Sequence, residues 1–340
     1  MGTMTLLLTA LLTTSSASLE PIDVEAVARA TMEAAPNTWT AIPFLPAQGL
    51  SIAEFSRRFL GVSPQPEGEG APDSPAIASP VAPPALPDEY DWRTANSTLV
   101  DCIGPVVNQS PVDEKGTQHK CGSCWAVSAV ETFADRRCIA GRQAALELPR
   151  VELSALDLIA CDRKCQDFHR QCNMGCQGGF PELAWQYFES NGVRSAECMP
   201  YNLSKQLLCP LKACEPPRSD APYYSRKHYK VAGASHIRAE LVARGPVQTT
   251  FTVYEDFLNY AGGVYHHVTG RKLGLHAVKV IGYGVDERAG QFWTAMNSWG
   301  PQFGLNGTFM IAAGECGFEQ SVLAGLPCLP GDPYLPCHKL

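Results

Sequence analysis

The stretch Gln118-His119-Lys120-Cys121-Gly122-Ser123-Cys124-Trp125 opens directly into an apolar-periodic run from Trp125 to Ala140. Val127, Val130, Phe133 or Ala134, and Arg137 or Cys138 recur there at helical spacing, and Gly141 is the predicted stop. Cys124 therefore falls at a helix N-terminus, where unpaired N–H groups and the positive end of the macrodipole favour thiolate over thiol. A cysteine so placed is a candidate nucleophile. The C-x-x-C spacing of Cys121 and Cys124 also suits a redox pair or half a zinc site, so the octapeptide alone does not choose between these chemistries.

The 340 residues, 45% hydrophobic and 18% charged, suffice for one large globular domain with appendages. A net charge of -7 argues against a nucleic-acid or anionic-membrane partner. Fourteen cysteines point to an oxidising compartment. The N-terminus agrees: Met4 to Leu12 is short and apolar and leads into Ser16-Ala17-Ser18, so residues 1–18 read as a signal peptide, although no basic residue precedes the apolar run. No later run approaches the roughly 18 apolar residues of a membrane span.

Next comes a partly helical piece, with Val24, Val27 and Ala28 on one face and a second helix from Ser51 to Leu60, capped by Ser51 and ended by Gly61. From Gly61 to Ala85 there are seven prolines, three acids and no basic residue, a composition that builds no core and reads as a tether. Residues 19–86 are thus expected to be a removable pro-segment. A main module over 87–327 and a tail over 328–340 follow. Within the module, helices are predicted at Ser154 to Cys161, Pro181 to Glu189 and Ser235 to Ala243. Beyond Gly245-Pro246 the period changes to two, with Val247, Thr249, Phe251 and Val253 alternating, then strands at Gly263 to His266, His276 to Tyr283, Phe292 to Asn297 and Thr308 to Ile311. The module reads as α+β, a helical half followed by a β-rich half with room for a cleft between them.

A cysteine nucleophile needs a base, and the base needs a group that fixes its ring. His276 is the candidate base because it opens the apolar strand Ala277-Val278-Lys279-Val280-Ile281 after a glycine-containing turn, whereas His169, His228 and His338 lie in polar stretches. Asn297, at the end of the next strand, is placed to hold the imidazole through its side-chain carbonyl, with Trp299 covering that bond from water.

Gln-x-x-Cys-Gly-Ser-Cys-Trp, Cys-Gln-Gly-Gly at Cys176 to Gly179, the strand-opening His276 and Asn297-Ser298-Trp299-Gly300 together resemble a papain-family cysteine peptidase. Tyr254 to Tyr260, Gly263 to Gly270, Asp135-Arg136-Arg137-Cys138 and Cys214-Glu215-Pro216 are similar to its cathepsin B branch, as is the short N-terminal piece with Trp39 and Phe55 to Gly61. The separations are slightly long: 276 - 124 = 152 and 297 - 124 = 173 residues, against roughly 130–150 in the papain pattern, as insertions in the helical half would produce.

The resemblance implies a two-lobed fold, a helical left lobe and a β-barrel-like right lobe with the active site in the cleft. It implies a thiolate–imidazolium pair of Cys124 and His276, oriented by Asn297, that hydrolyses peptide bonds through an acyl-enzyme. The oxyanion would be held by the Cys124 N–H and a glutamine amide. Gln118 has the family spacing, six residues before Cys124, while Gln109 has the more familiar local context, Val106-Val107-Asn108-Gln109. Gln118 is preferred because the short turn into the helix fixes its reach. Gly178, Gly179, Trp299 and Ser321 are the expected substrate-binding residues. Implied partners are peptide and protein substrates and the chain's own pro-segment as inhibitor. No cofactor or metal is implied, and the expected state is a monomer in the secretory pathway, bound for lysosome or endosome or the outside of the cell.

Two departures stand out. In cathepsin B a loop with paired histidines blocks one end of the cleft and allows removal of C-terminal dipeptides; here Cys198 to Cys214 contains no histidine, which predicts mainly endopeptidase action. Ser321 stands where the branch has an acidic pocket residue, which predicts an apolar rather than arginine preference at the second residue before the scissile bond. The resemblance further implies disulfides Cys102–Cys138, Cys121–Cys176, Cys161–Cys209, Cys165–Cys172 and Cys198–Cys214, with Cys328 and Cys337 closing the tail and Cys124 and Cys316 free. Asn96, Asn108, Asn202 and Asn306 each begin a glycosylation sequon. The rival readings are a catalytically impaired binding or decoy protein on the same fold, a disulfide oxidoreductase using Cys121 and Cys124, and a zinc site of Cys161, Cys165, Cys172 and Cys176.

Overall fold

The computed structural model describes residues 20–34, 38–64, 85–95, 98–113, 115–146, 148–166, 171–204, 208–210, 214, 221–333 and 337. The expected signal peptide and most of the Pro-rich tether lie outside the described residues.

The N-terminal piece contains α1 (Val24–Ala34), the short β1 (Trp39–Ala41) and α2 (Ile52–Phe59). Ser51 caps α2 in a full capping box: its hydroxyl accepts from the Glu54 N–H, and the Glu54 carboxylate accepts from the Ser51 N–H at 3.0 Å. After β2 (Tyr90–Asp91) come the helical elements α3 (Cys124–Gln143) and α4 (Ala155–Cys161), the small hairpin of β3 (Cys165–Gln166) and β4 (Gln171–Cys172), and α5 (Pro181–Ser190). Then follow β5 (Ser225–Lys230), α6 (Ala234–Arg244), β6 (Val247–Tyr254), β7 (Tyr260–Tyr265), β8 (Lys272–Asp286), β9 (Gly290–Met296), β10 (Thr308–Ala312) and β11 (Leu323–Pro327). Among the described residues the larger sheet runs β1-β7-β10-β9-β8-β6-β11-β5, with β2 on β8; β7 and β10 pair in parallel and the remaining pairs are antiparallel. The α+β organisation is as read from the sequence.

Two apolar cores make the two lobes. One gathers Trp125, Val130, Phe133, Leu158, Trp185 and Phe188 around α3, and the other gathers Phe251, Phe257, Tyr265, Val280 and Phe309 on the sheet. Trp39, Phe44, Phe55 and Phe59 of the N-terminal piece belong to the sheet core. Helix α3 runs between the lobes, every residue from Cys124 to Arg136 is buried, and the charges of Asp135 and Arg136 are paired there. Lys279 Nζ lies 2.7 Å from Asp135, and Arg136 binds Glu240 at 2.6 Å and the Gly325 carbonyl at 2.8 Å.

Three sequence expectations change. Helix α3 does not stop at Gly141 but passes through it to Gln143; a Cβ there would sit 2.8 Å from Leu148, so that glycine serves packing. His276 does not open its strand: β8 begins at Lys272, and a register shift at Val253/Tyr254 lets the glycine-containing approach pair with β6. Strand β5 is an addition to the expected strands, since Ser225-Arg226-Lys227-His228-Tyr229-Lys230 is too polar to advertise an edge strand, as is its partner β11, a short run interrupted by Gly325 and ended by Pro327.

The structure joins Cys102 to Cys138, Cys121 to Cys176, Cys161 to Cys209, Cys165 to Cys172, Cys198 to Cys214 and Cys328 to Cys337, and leaves Cys124 and Cys316 free. Cys161, Cys165, Cys172 and Cys176 are all in disulfides, so they present no zinc-binding thiolates.

Candidate active site

Cys124 is the first residue of α3, after the turn that the Cys121–Cys176 disulfide holds against the neighbouring loop, where Gly122 N–H donates to the Cys176 carbonyl at 3.0 Å. From the opposite lobe, the Ala277 N–H donates to Cys124 Sγ at 3.4 Å. His276 is the residue before Ala277 on β8, and the end of β9 brings in Asn297, whose Oδ1 lies 2.7 Å from His276 Nε2.

The protonation pattern of this pair follows from its partners. Asn297 Oδ1 also accepts from the Ser298 N–H at 2.8 Å, which only an oxygen can do, so His276 Nε2 carries the hydrogen. His276 Nδ1 then holds the lone pair, and it is buried without a hydrogen-bond partner among the described residues. The Trp299 ring covers the imidazole with centroids 5.0 Å apart. Phe55, Phe59, Phe257 and Phe303 pack around that indole.

Both groups are fully desolvated. Burial pushes the Cys124 thiol up to about 12 against the backbone N–H groups that favour thiolate, and burial lowers His276 to about 4 against the Asn297 bond. In this covered state the neutral thiol–imidazole form is favoured over the ion pair that the helix position alone predicts. The cover is the N-terminal piece. Gly61 accepts from the Gly179 N–H at 2.9 Å, Ser63 N–H donates to the Gly179 carbonyl at 2.9 Å, and Val62 bridges to both Gly179 and Leu275. The Val62 N–H is among the groups facing the thiol. Gly61 must be glycine there, since at φ 147° a Cβ would come within 2.2 Å of the Gly122 carbonyl oxygen.

The two glutamines are placed differently from the sequence preference. Gln109 is fully buried in the crevice: its Nε2 faces the carbonyls of Leu60, Cys121 and Arg58 at 3.0, 3.1 and 3.2 Å, and Ser298 Oγ donates to its Oε1 at 2.7 Å. Gln118 instead donates to the Ser110 carbonyl. The intervening residues close on themselves as a hairpin, with Val112 bridged to Gln118 and His119 N–H donating to the Pro111 carbonyl at 3.0 Å. Counting back from Cys124 therefore lands on the hairpin, while Gln109 lies across its base, buried against Cys121 and Ser298.

Gly178 and Gly179 line the covered groove; a Cβ on Gly179 would be 2.7 Å from the Trp125 ring. Ser321 lies with Cys316, Gly317, Pro181, Thr250 and Leu275 around a cavity of about 540 Å³. The Lys230–Glu182 ion pair at 3.2 Å also lines it, and neither residue stood out in the sequence. Tyr201 was missed too: its hydroxyl donates to the Gln109 carbonyl at 2.9 Å and meets Ser123 Oγ at 2.8 Å. Ser298, inside the quoted Asn-Ser-Trp-Gly run, was the available signal for Gln109.

Comparison with known proteins gives the family. Residues 86–326 match the papain family cysteine proteases. The chain is 39% identical over 308 residues to Cathepsin B-like protease 1 of Arabidopsis thaliana, covering 82% of this chain and 76% of that protein. It is 34% identical over 286 residues to Cathepsin B-like CP3 of Giardia intestinalis, covering 82% and 86%. The structure is similar to procathepsin B S9 from Trypanosoma congolense, with a TM-score of 0.72 at 27% identity over 90% of this chain and 99% of that one. A residue match over most of the chain, on a fold shared with a proform, makes this chain a member of the papain family of cysteine proteases.

Proposed function

We propose that the chain is the zymogen of a cathepsin B-like cysteine endopeptidase working through Cys124, His276 and Asn297. The observation that carries the reading is the convergence of the three: the Cys124 thiol against the β8 backbone at Ala277, and His276 Nε2 on Asn297 Oδ1 at 2.7 Å. With its lone pair on Nδ1, His276 takes the thiol proton, the thiolate attacks the peptide carbonyl, and the imidazolium then protonates the leaving amine. The tetrahedral oxygen is held by the Cys124 N–H and by Gln109 Nε2, which replaces Gln118 in this role. Water hydrolyses the acyl-enzyme with His276 as base.

The pro-segment acts as inhibitor by lying along Gly179 and desolvating the thiol. Residues 1–18 direct the chain into the secretory pathway, with lysosome, endosome or the extracellular space as destination. Six disulfides among the described residues favour such an oxidising route. The histidine-free segment from Cys198 to Cys214 supports internal cleavage over dipeptide release.

A thiol-reactive epoxide tests the reading. Labelling at Cys124 after removal of the pro-segment, with hydrolysis of internal peptide bonds, supports it; an unlabelled, inactive mature chain refutes it in favour of a decoy.

A further inference from the structure

Beside the nucleophile helix, lined by Val127, Val130 and Glu131 of α3, lies a second cavity of about 320 Å³. Val107, Val127, Val130, Leu153 and the Tyr201 ring give it apolar walls, and Glu131 lines it. It shares no lining residue with the cavity around Ser321.

Glu131 is the unusual member. It is 7% exposed, its Oε1 has no hydrogen-bond partner, and no cation lies within ion-pair distance of it among the described residues. Leaving a buried carboxyl oxygen unsatisfied is costly. The charges facing it are already engaged elsewhere: Asp135, one turn along α3, is bound by Lys279 of β8 at 2.7 Å and by Arg150 at 2.8 Å. Arg150 also lies 3.8 Å from Glu152 at the cavity wall. Two cations thus face three acids counting Glu131, and the group left over is the one in the cavity. The cavity is at the small end of ligand pockets; Arg150, Glu152 and Ser154 also line it, and Glu131 is the buried charged group there without a partner among the described residues.

We propose that this cavity is a binding site for a small organic monocation with an apolar body, whose ammonium or amidinium group pairs with Glu131. The occupant supplies the one missing positive charge and covers the apolar walls. It also leans on Tyr201, whose hydroxyl holds Gln109 and Ser123 beside the thiol.

Titration calorimetry on the full-length chain, with the substrate groove still covered by residues 60–63, tests this independently of peptidase activity. Benzamidine is the probe and benzamide its uncharged isostere. At pH 8 benzamidine binds one to one, at least ~10-fold more tightly than benzamide. Glu131→Gln weakens benzamidine by at least ~10-fold and leaves benzamide unchanged. Ala196→Trp, which adds bulk to the cavity lining and leaves the Glu131 carboxyl in place, removes binding of both. Burial raises the Glu131 carboxyl to about 7, so benzamidine affinity also falls between pH 8 and pH 5.5. Equal affinity for the two probes, benzamidine binding untouched by both substitutions, or no saturation of benzamidine at ~10 mM overturns the proposal.

Discussion

The Trp299 indole N–H donates to the Phe59 carbonyl at 2.6 Å, so the side chain that shields the His276–Asn297 bond is itself held by the N-terminal piece. Shield and cover are one hydrogen-bonded unit. Removing residues up to Ser63 therefore opens the groove at Gly179 and frees the indole together.

Cys124→Ala is expected to reduce hydrolysis of a fluorogenic dipeptide substrate to background. Asn297→Ala keeps Cys124 labelling by the epoxide but lowers kcat/KM by on the order of 10², because the imidazole loses the acceptor that fixes its Nε2–H tautomer. Equal rates for Asn297→Ala and the unaltered mature chain would sink the assignment.

Gln109→Ala is expected to lower kcat by on the order of 10² in the mature enzyme, since it removes a preorganised donor from the crevice. Gln118→Ala, whose amide serves the hairpin at Ser110, stays within ~3-fold of the unaltered enzyme. The reverse ranking restores Gln118.

Gly61→Ala forces a Cβ against the Gly122 carbonyl in a left-handed backbone. The unprocessed variant should be labelled at Cys124 at least ~10-fold faster than the unaltered zymogen, as the cover loses its seat. Unchanged labelling means residues 61–63 do not hold the groove shut.

Stability of the full-length chain should fall between pH 7 and pH 9. Desolvation lowers the His228 imidazole, but the facing Glu182 and Glu189 carboxylates outweigh it and raise His228 to about 9; Glu189 Oε1 lies 2.7 Å from Nδ1 and Glu182 Oε1 3.9 Å from Nε2. A raised folded value stabilises fully below 6.5 and is lost as pH rises through 9. Glu131, raised to about 7, acts with the same sign from 4.5 to 7, and His276, lowered to about 4, acts with the opposite sign from 4 to 6.5. Above 7 the main contributor is His228, joined toward pH 9 by the buried Cys124 and Cys316 thiols, both raised to about 12 and acting with the same sign. Denaturant unfolding should show a loss on the order of 1–3 kcal/mol between pH 7 and 9, most of it removed by His228→Leu. A flat profile in the unaltered chain refutes the pairing.

Ser321→Glu is expected to shift the Arg-Arg to Phe-Arg substrate ratio toward Arg-Arg by at least ~10-fold, by adding a carboxylate to the cavity that Ser321 lines. No shift would place the selective pocket elsewhere.

How far the sequence carried this result depended on how local each signal was. The Cys124 helix, the Ser51 and Ser154 caps and the alternation of β6 are written in consecutive residues, and the folded chain keeps them. His276 and Asn297 were legible because each lies near one end of a strong strand pattern. Gln109 was not preferred because a self-closing hairpin makes distance along the chain misleading. Strands β5 and β11 depend on pairing with each other rather than on their own composition. The neutral state of the Cys124–His276 pair comes from burial, against which the Val62 N–H acts, and no reading of the octapeptide contains it.

Of the three carbonyl oxygens facing Gln109 Nε2, those of Arg58 and Leu60 belong to the piece expected to leave, and only that of Cys121 stays. On the proposed maturation, loss of that piece would strip a buried donor of most of its company as the groove opens. The amide would then be short of an oxygen, and the transition state of an incoming peptide would bring one.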